Sequence, residues 1–294
     1  MTAKGQGRTA FAYLAPALLV LGGLLAYPIY QLVLISLYDY GQEQVSGGAA
    51  LEFLGLGNYQ KLLGDQQFWG VLGQTVAFAA VCVVGTLLVG AVLAILATRV
   101  RTWVRMTLFL AALGAWSTPA VAGSTIWLFL FDANFGFVNE VLGIQGFSWT
   151  FDKWTAFGLV AAQVIWCSFP FVMVTLYAGI KAIPTEVLEA AALDGASTFR
   201  TAWSVTLPLL RPIILVVTIQ SIIWDFKVFT QIYVMTNGGG IAGRNLVLNV
   251  YAYQQAFAAS EYGLGAAIGV VMTVLLLAIT MFYLRALRRS GEVL

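Results

Sequence analysis

Six stretches of this 294-residue chain run for about twenty residues or more with almost no charge, and no other feature restricts its fold so severely. They cover residues 10–37, 69–97, 106–131, 155–180, 213–235 and 263–284. A helix needs about 20 mainly apolar residues to cross a bilayer. Membrane barrel strands would instead alternate apolar and polar residues over about ten positions, and these runs do not alternate. The expected fold is all-α, a polytopic membrane protein with six transmembrane helices. Composition agrees: 60% of residues are hydrophobic and 10% charged, against about 25% charged in soluble domains. A soluble enzyme and a disordered chain are both excluded. A net charge of +2 is no nucleic-acid footprint, so no nucleic-acid partner is expected. The expected partner of the whole surface is the lipid bilayer.

The first run follows Lys4 and Arg8 as a signal peptide would, but it is longer than the 7–15 apolar residues of such a segment. It reads as a retained helix, bent near Pro28. Eleven of the fifteen Lys and Arg fall at the N-terminus, at Arg99–Arg105, within 181–212 and at the C-terminus. The other four, Lys61, Lys153, Lys227 and Arg244, fall on the opposite side. The positive-inside rule places both termini in the cytoplasm. No composition shift or repeat divides the chain, so residues 1–294 read as one transmembrane domain. There is no histidine, and Cys82 and Cys167 lie alone in apolar runs. They read as packing residues, and no metal site is expected. Nothing resembles a Ser–His nucleophile or a phosphate-binding loop, so neither a catalytic site nor an enzyme is expected in this chain.

The one sizeable inside connection, 181–212, carries the most local information. Pro184 suits a helix start. Glu186 and Glu189 complement the positive end of that helix, Ala190–Ala192 favour it, and Gly195 permits a sharp turn with positive φ. Ser197 or Thr198 can cap a second short helix through Arg200 and Trp203, and Pro208 is expected to break the chain before the fifth span. Two short surface helices result. They either rest on lipid headgroups or seat apolar residues such as Leu188, Leu193 and Trp203 in a partner's groove.

Within this loop stand Glu189, Ala190, Ala191, three residues, Gly195, nine residues, Val205, one residue, then Leu207 and Pro208. That spacing resembles the signature loop of the permease subunits of ABC importers. The likeness is strongest to the carbohydrate-type, maltose and glycerol-phosphate group. Phe53-Leu54-Gly55-Leu56-Gly57-Asn58-Tyr59 and Met235-Thr236-Asn237-Gly238-Gly239 resemble segments of the same group. Val205 stands where isoleucine is usual, and Gly240 where many members have proline. The resemblance implies a type I ABC importer permease fold. In that family the loop, here Glu189, Ala190, Ala191, Asp194, Gly195, Leu207 and Pro208, docks on a separate ATP-binding subunit and passes on its motion. The implied assembly holds a second homologous permease, two ATP-binding subunits and an extracytoplasmic sugar-binding protein. This chain would hold no cofactor, ATP and Mg being bound by the ATPase partners.

An ionisable residue deep in a span is costly and points to function. Asp225 lies about 18 Å into the fifth span, near mid-membrane. Ser221 is one turn earlier on the same face, and Trp224 is adjacent. In the fourth span Pro170 frees a backbone acceptor at Trp166, and Cys167, Ser168 and Phe171 surround that break. The family resemblance implies sugar contacts at these positions of both spans. The expected substrate site is therefore Cys167, Ser168, Phe171, Ser221, Trp224 and Asp225, for a di- or oligosaccharide. Asp225 could instead pair with Lys227 or with a partner subunit. It could also serve as the coupling site of an ion-driven secondary carrier of a small polar solute.

Overall fold

The computed structural model describes residues 3–289, so the outermost residues of the expected 1–294 domain lie outside the described residues. The chain begins with α1 (Ala3–Leu21), a π-helical turn (Gly22–Ala26) and α2 (Tyr27–Ile35). There follow β1 (Tyr38–Asp39), α3 (Gln42–Val45), β2 (Glu52–Phe53), α4 (Gly57–Gly64), α5 (Gln66–Arg99), α6 (Thr102–Ser117), α7 (Ala120–Leu130) and α8 (Phe137–Leu142). The second half holds α9 (Lys153–Ala182), α10 (Thr185–Leu193), α11 (Thr198–Thr201), a π-helical turn (Ala202–Thr206), α12 (Leu207–Phe226), α13 (Thr230–Met235), α14 (Leu248–Tyr253) and α15 (Tyr262–Arg289).

Among the described residues, five helical stretches are long and apolar enough to cross a membrane: Phe11–Ile35, Gln66–Arg99, Lys153–Ala182, Ala202–Phe226 and Tyr262–Arg285. The third expected span, 106–131, is not one straight helix. It is the pair α6 and α7, bent by 105°. Pro119 explains the bend, because proline pushes its predecessor out of the helical region. Thr118 is accordingly extended (φ −69°, ψ 123°). The Ser117 and Thr118 hydroxyls turn back to donate to the Gly114 carbonyl at 3.2 and 2.8 Å, which relieves one orphaned acceptor at the end of α6. The fifth expected span, 213–235, is also displaced. Its helix starts at Leu207 and ends at Phe226, and 230–235 forms the separate α13. Neither glycine nor proline marks that second break.

Pro28 and Pro208 both sit in continuous helix, so the break expected at Pro208 is absent. Pro28 and Pro208 each follow a π-helical turn by one residue, and Tyr27 and Leu207 donate to carbonyls five residues back, at Gly22 and Ala202. The wider turn spares the proline ring the clash an α-helix would force on it. Helix therefore runs without interruption from Thr198 to Phe226, which corrects the expected break at Pro208. Helix α9 likewise passes through Pro170 without interruption.

Packing divides the chain into two compact units, residues 1–69 with 251–275, and 70–250 with 276–294. In the first, Asn58 donates to the carbonyls of Ser36 and Tyr38 at 3.0 and 2.9 Å, and Tyr59 shares a 2.6 Å hydrogen bond with Ser36. This clamp closes the end of α2. The antiparallel pair β1–β2, in register at Tyr38↔Phe53 and Asp39↔Glu52, leads into it. Lys61 meets Glu261 at 2.7 Å, and the Tyr251 hydroxyl donates to Asp65 at 3.0 Å. Burial, with Asp65 beside it, pushes the Tyr251 hydroxyl up to about 12, so it stays a donor. Asn58 is buried, so Asn58→Ala leaves two carbonyls without their donor. It is expected to cost about 1–3 kcal/mol, read as a lower thermal midpoint of the detergent-solubilised protein.

The core of the second unit lies among α5, α6, α9 and α12, around Ala94, Ala97, Ala112, Val172, Met173, Leu176 and Val217. Small residues let the helix backbones approach, as membrane packing favours. A methyl added at Gly90 would lie 2.7 Å from Val172, and one at Gly179 would lie 2.6 Å from Ile213. Helix α9 is the central post: half of its most apolar window is buried, against none for the span Phe11–Ile35.

Candidate functional site

The second unit holds a cavity of about 390 Å³ where four helix ends, of α6, α7, α12 and α13, meet α9. One wall is α9, with Val164, Cys167 and Ser168. The end of α12 and the linker to α13 supply Trp224, Asp225, Lys227, Val228 and Phe229. The start of α13 adds Thr230 and Gln231, and the α6–α7 joint adds Trp116, Thr118 and Ala120. The volume falls within the range of small-molecule sites, about 300–1,000 Å³. The irregular backbone that the bilayer would not tolerate against lipid is here turned toward a cavity.

Asp225 is 4% exposed, and its Oδ2 has no hydrogen-bond partner. Lys227 lines the same cavity, but no ion pair joins it to Asp225. Asp225 thus lines the cavity with one carboxyl oxygen, Oδ2, buried and unpaired. The Cys167 thiol donates to the Val164 carbonyl at 3.3 Å. Trp224 and Trp116 give the cavity two flat aromatic faces. Phe171 braces both, edge-on to Trp224 at 5.1 Å and 6.3 Å from Trp116.

Four of the six expected substrate residues, Cys167, Ser168, Trp224 and Asp225, line this cavity together. Phe171 and Ser221 do not; Phe171 stands behind the indoles, and Ser221 is 3% exposed within the bundle. Trp116, Thr118, Lys227 and Gln231 were not expected. A signal for two of them lies in the sequence: Trp116-Ser117-Thr118-Pro119 sets a proline inside an apolar run, the mark of a broken helix. Nothing comparable flags Gln231.

At the other functional segment, α10 begins after Pro184 and ends at Asp194. Gly195 has φ +75°, donates to Ala192 at 3.0 Å, and is followed by Ala196 donating to Ala191 at 3.0 Å. These two bonds are the Schellman closure, which needs a left-handed residue at the position of Gly195. They explain the three-residue gap between the Ala pair and the glycine. Ser197 then caps α11, its Oγ accepting from the Arg200 N–H at 3.3 Å. Leu188 and Ala192 face an apolar groove of about 410 Å³ against α5, α9 and α12, so Leu188 finds its groove within the chain. Leu193 is 90% and Trp203 67% exposed, and Glu189, Ala190 and Asp194 are exposed as well. Leu207 and Pro208 begin α12 and lie outside this turn.

Helices apolar and long enough to cross a membrane, a small cavity where helix ends meet, and an exposed turn at the end of α10 are features of a membrane permease subunit. The chain belongs to the family of binding-protein-dependent transport system inner membrane components, which its residues 87–290 match. It is 38% identical over 291 residues, 95% of this chain and 88% of the relative, to the diacetylchitobiose uptake system permease protein DasB of Streptomyces coelicolor. It is 34% identical over 236 residues, 79% of each chain, to the trehalose/maltose transport system permease protein MalF of Thermococcus litoralis. Its fold matches a chain of the bacterial alginate ABC transporter crystallised with an alginate pentasaccharide-bound periplasmic protein. The TM-score is 0.82 with 18% identity, over 98% of this chain and 96% of that one. The importer permease fold implied by the signature loop is thus the observed fold, and the chain is a transport component of an inner membrane.

Proposed function

We propose that this chain is the permease subunit of an ATP-driven, binding-protein-dependent importer of a di- or oligosaccharide, and that residues 1–294 act as one permease domain with both termini in the cytoplasm. Relatives whose names specify diacetylchitobiose, trehalose and maltose support the sugar. So does a cavity that combines an open carboxylate acceptor with two indole faces, since an indole covers the apolar face of a pyranose while polar groups meet its hydroxyls. A second homologous permease completes the membrane pore, two ATP-binding subunits bind ATP and Mg, and an extracytoplasmic protein delivers the sugar. ATP binding closes the ATPases, the turn at Gly195 moves with them, and the cavity turns outward. The cycle requires the outward state to be the stable one only with ATP and loaded binding protein both bound.

The observation that carries this reading is the exposed, fully closed turn at the end of α10. An apolar residue as exposed as Leu193, held on a rigid turn, is suited to a pocket on a partner. Leu193→Glu is expected to leave folding intact, because the side chain packs on nothing. It should remove co-purification of the ATP-binding subunit and reduce sugar uptake to background. Retention of the ATPase with full uptake would refute the docking role. The ion-driven carrier makes the opposite forecast: uptake survives loss of the ATPase and fails when the ion gradient is collapsed.

A further inference from the structure

Asp225 is not the one buried polar group of the second unit with an open hydrogen-bonding atom. Gln163, 1% exposed, has no partner for Oε1, and Ser124, fully buried, has none for Oγ. An orphaned buried acceptor costs about 1–3 kcal/mol, and a membrane interior has no bulk water to relieve it. Such groups call for a partner from outside the chain, a water or a ligand.

The position of Gln163 suggests which partner. It precedes Val164 and lies one helical turn before Cys167, and both of those line the cavity. A methyl placed on Gly123 would lie 3.2 Å from the Gln163 amide nitrogen and 3.4 Å from the Thr118 methyl carbon, and Thr118 also lines the cavity. Gln163 and Thr118 therefore approach the same point on α7, from behind and from the cavity side of the α6–α7 joint. Glycine at 123 leaves room there that any side chain would fill. Ser124 is the next residue of α7.

We propose that Gln163 is a specificity-determining residue of the transport cavity. When α7 turns about the Thr118–Pro119 joint, the Gln163 side-chain amide, whose nitrogen lies against Gly123, is uncovered and hydrogen-bonds a hydroxyl of the carried sugar, with Ser124 as the second polar group of this deeper tier. This rests on the sugar reading of the cavity given above. It adds a neutral amide to the carboxyl group of Asp225, and it places that amide on α9 one turn from Cys167. A sugar large enough to reach past Thr118 then gains a contact that a smaller one lacks.

The test uses the complete transporter in proteoliposomes with its binding protein, and radiolabelled diacetylchitobiose, trehalose and maltose as probes. Uptake of each is measured with the binding protein saturated. Gln163→Leu is expected to lower uptake of the best-carried sugar about tenfold and to change the ratios among the three. Stimulation of ATP hydrolysis by loaded binding protein should be retained. Gln163→Asn, which keeps a neutral amide, should retain more of the rate than the leucine variant. Gly123→Ala should depress the largest probe most, and it decides the matter if Gln163→Leu does not insert. Unchanged ratios in Gln163→Leu and Gly123→Ala, alongside altered ratios in Asp225→Asn, would overturn the role of Gln163 and leave the cavity reading standing. Unchanged ratios in all three variants, or no uptake of any probe by the unaltered complex, would overturn both.

Discussion

Gly195→Val is expected to uncouple ATP hydrolysis from sugar uptake while leaving the membrane spans inserted. The glycine sits at φ +75°, and a Cβ there would meet no atom within 4 Å. The penalty is thus conformational and not a clash. A left-handed L-residue costs roughly 1–2 kcal/mol, and a β-branched one is a clear outlier. With open space on every side, the chain relieves that strain by unwinding the last turn of α10, breaking the Ala192 and Ala191 closures that hold Leu193 and Glu189 in place. Uptake should fall about tenfold or more, and loaded binding protein should no longer stimulate hydrolysis. Gly195→Asn provides the internal control, because asparagine tolerates the left-handed region and should keep most of the coupling. Unchanged stimulation in the valine variant would show that the shape of this turn is immaterial.

Asp225→Ala is expected to be the most damaging single change in the cavity. It removes an acceptor whose second oxygen is already unpaired inside the bundle. Hydrogen bonds to charged groups contribute about 1.5–3 kcal/mol, so sugar retained by the solubilised complex should weaken by roughly ten- to a hundredfold. Asp225→Asn keeps the shape and one acceptor and should fall between. Ser221→Ala should do less, since Ser221 packs within the bundle and does not line the cavity. Native affinity in the alanine variant at position 225, with the complex intact, would remove the cavity from consideration as the sugar site.

Much of this molecule is legible in its sequence because the bilayer allows so few solutions. Length and apolarity alone locate the spans that became α5, α9 and α15, and the spacing from Ala191 to Gly195 foretells the closed turn. Two of the misjudged places turn on proline. Proline can be read as a breaker, but whether a helix breaks or widens depends on its neighbours. Pro119 follows Ser-Thr, whose hydroxyls can take over a freed carbonyl, and the chain bends. Pro208 and Pro28 follow π-helical turns, and the chain continues. The end of α12 at Phe226 has no glycine or proline to announce it, so Gln231 and Lys227 could not be assigned to the cavity in advance. The open atoms of Gln163 and Ser124 were equally hidden, because a missing partner is a property of three-dimensional packing.

The absorbed proline at position 208 has a mechanical consequence. Residues 198–226 form one unbroken shaft about 43 Å long, with the capped turn at its foot and the carboxylate of Asp225 at its head. Under the proposed coupling, a displacement at the foot would meet no break in helical backbone before the head. Geared in this way, a motor touching only the cytoplasmic end could rearrange a cargo compartment half a membrane away.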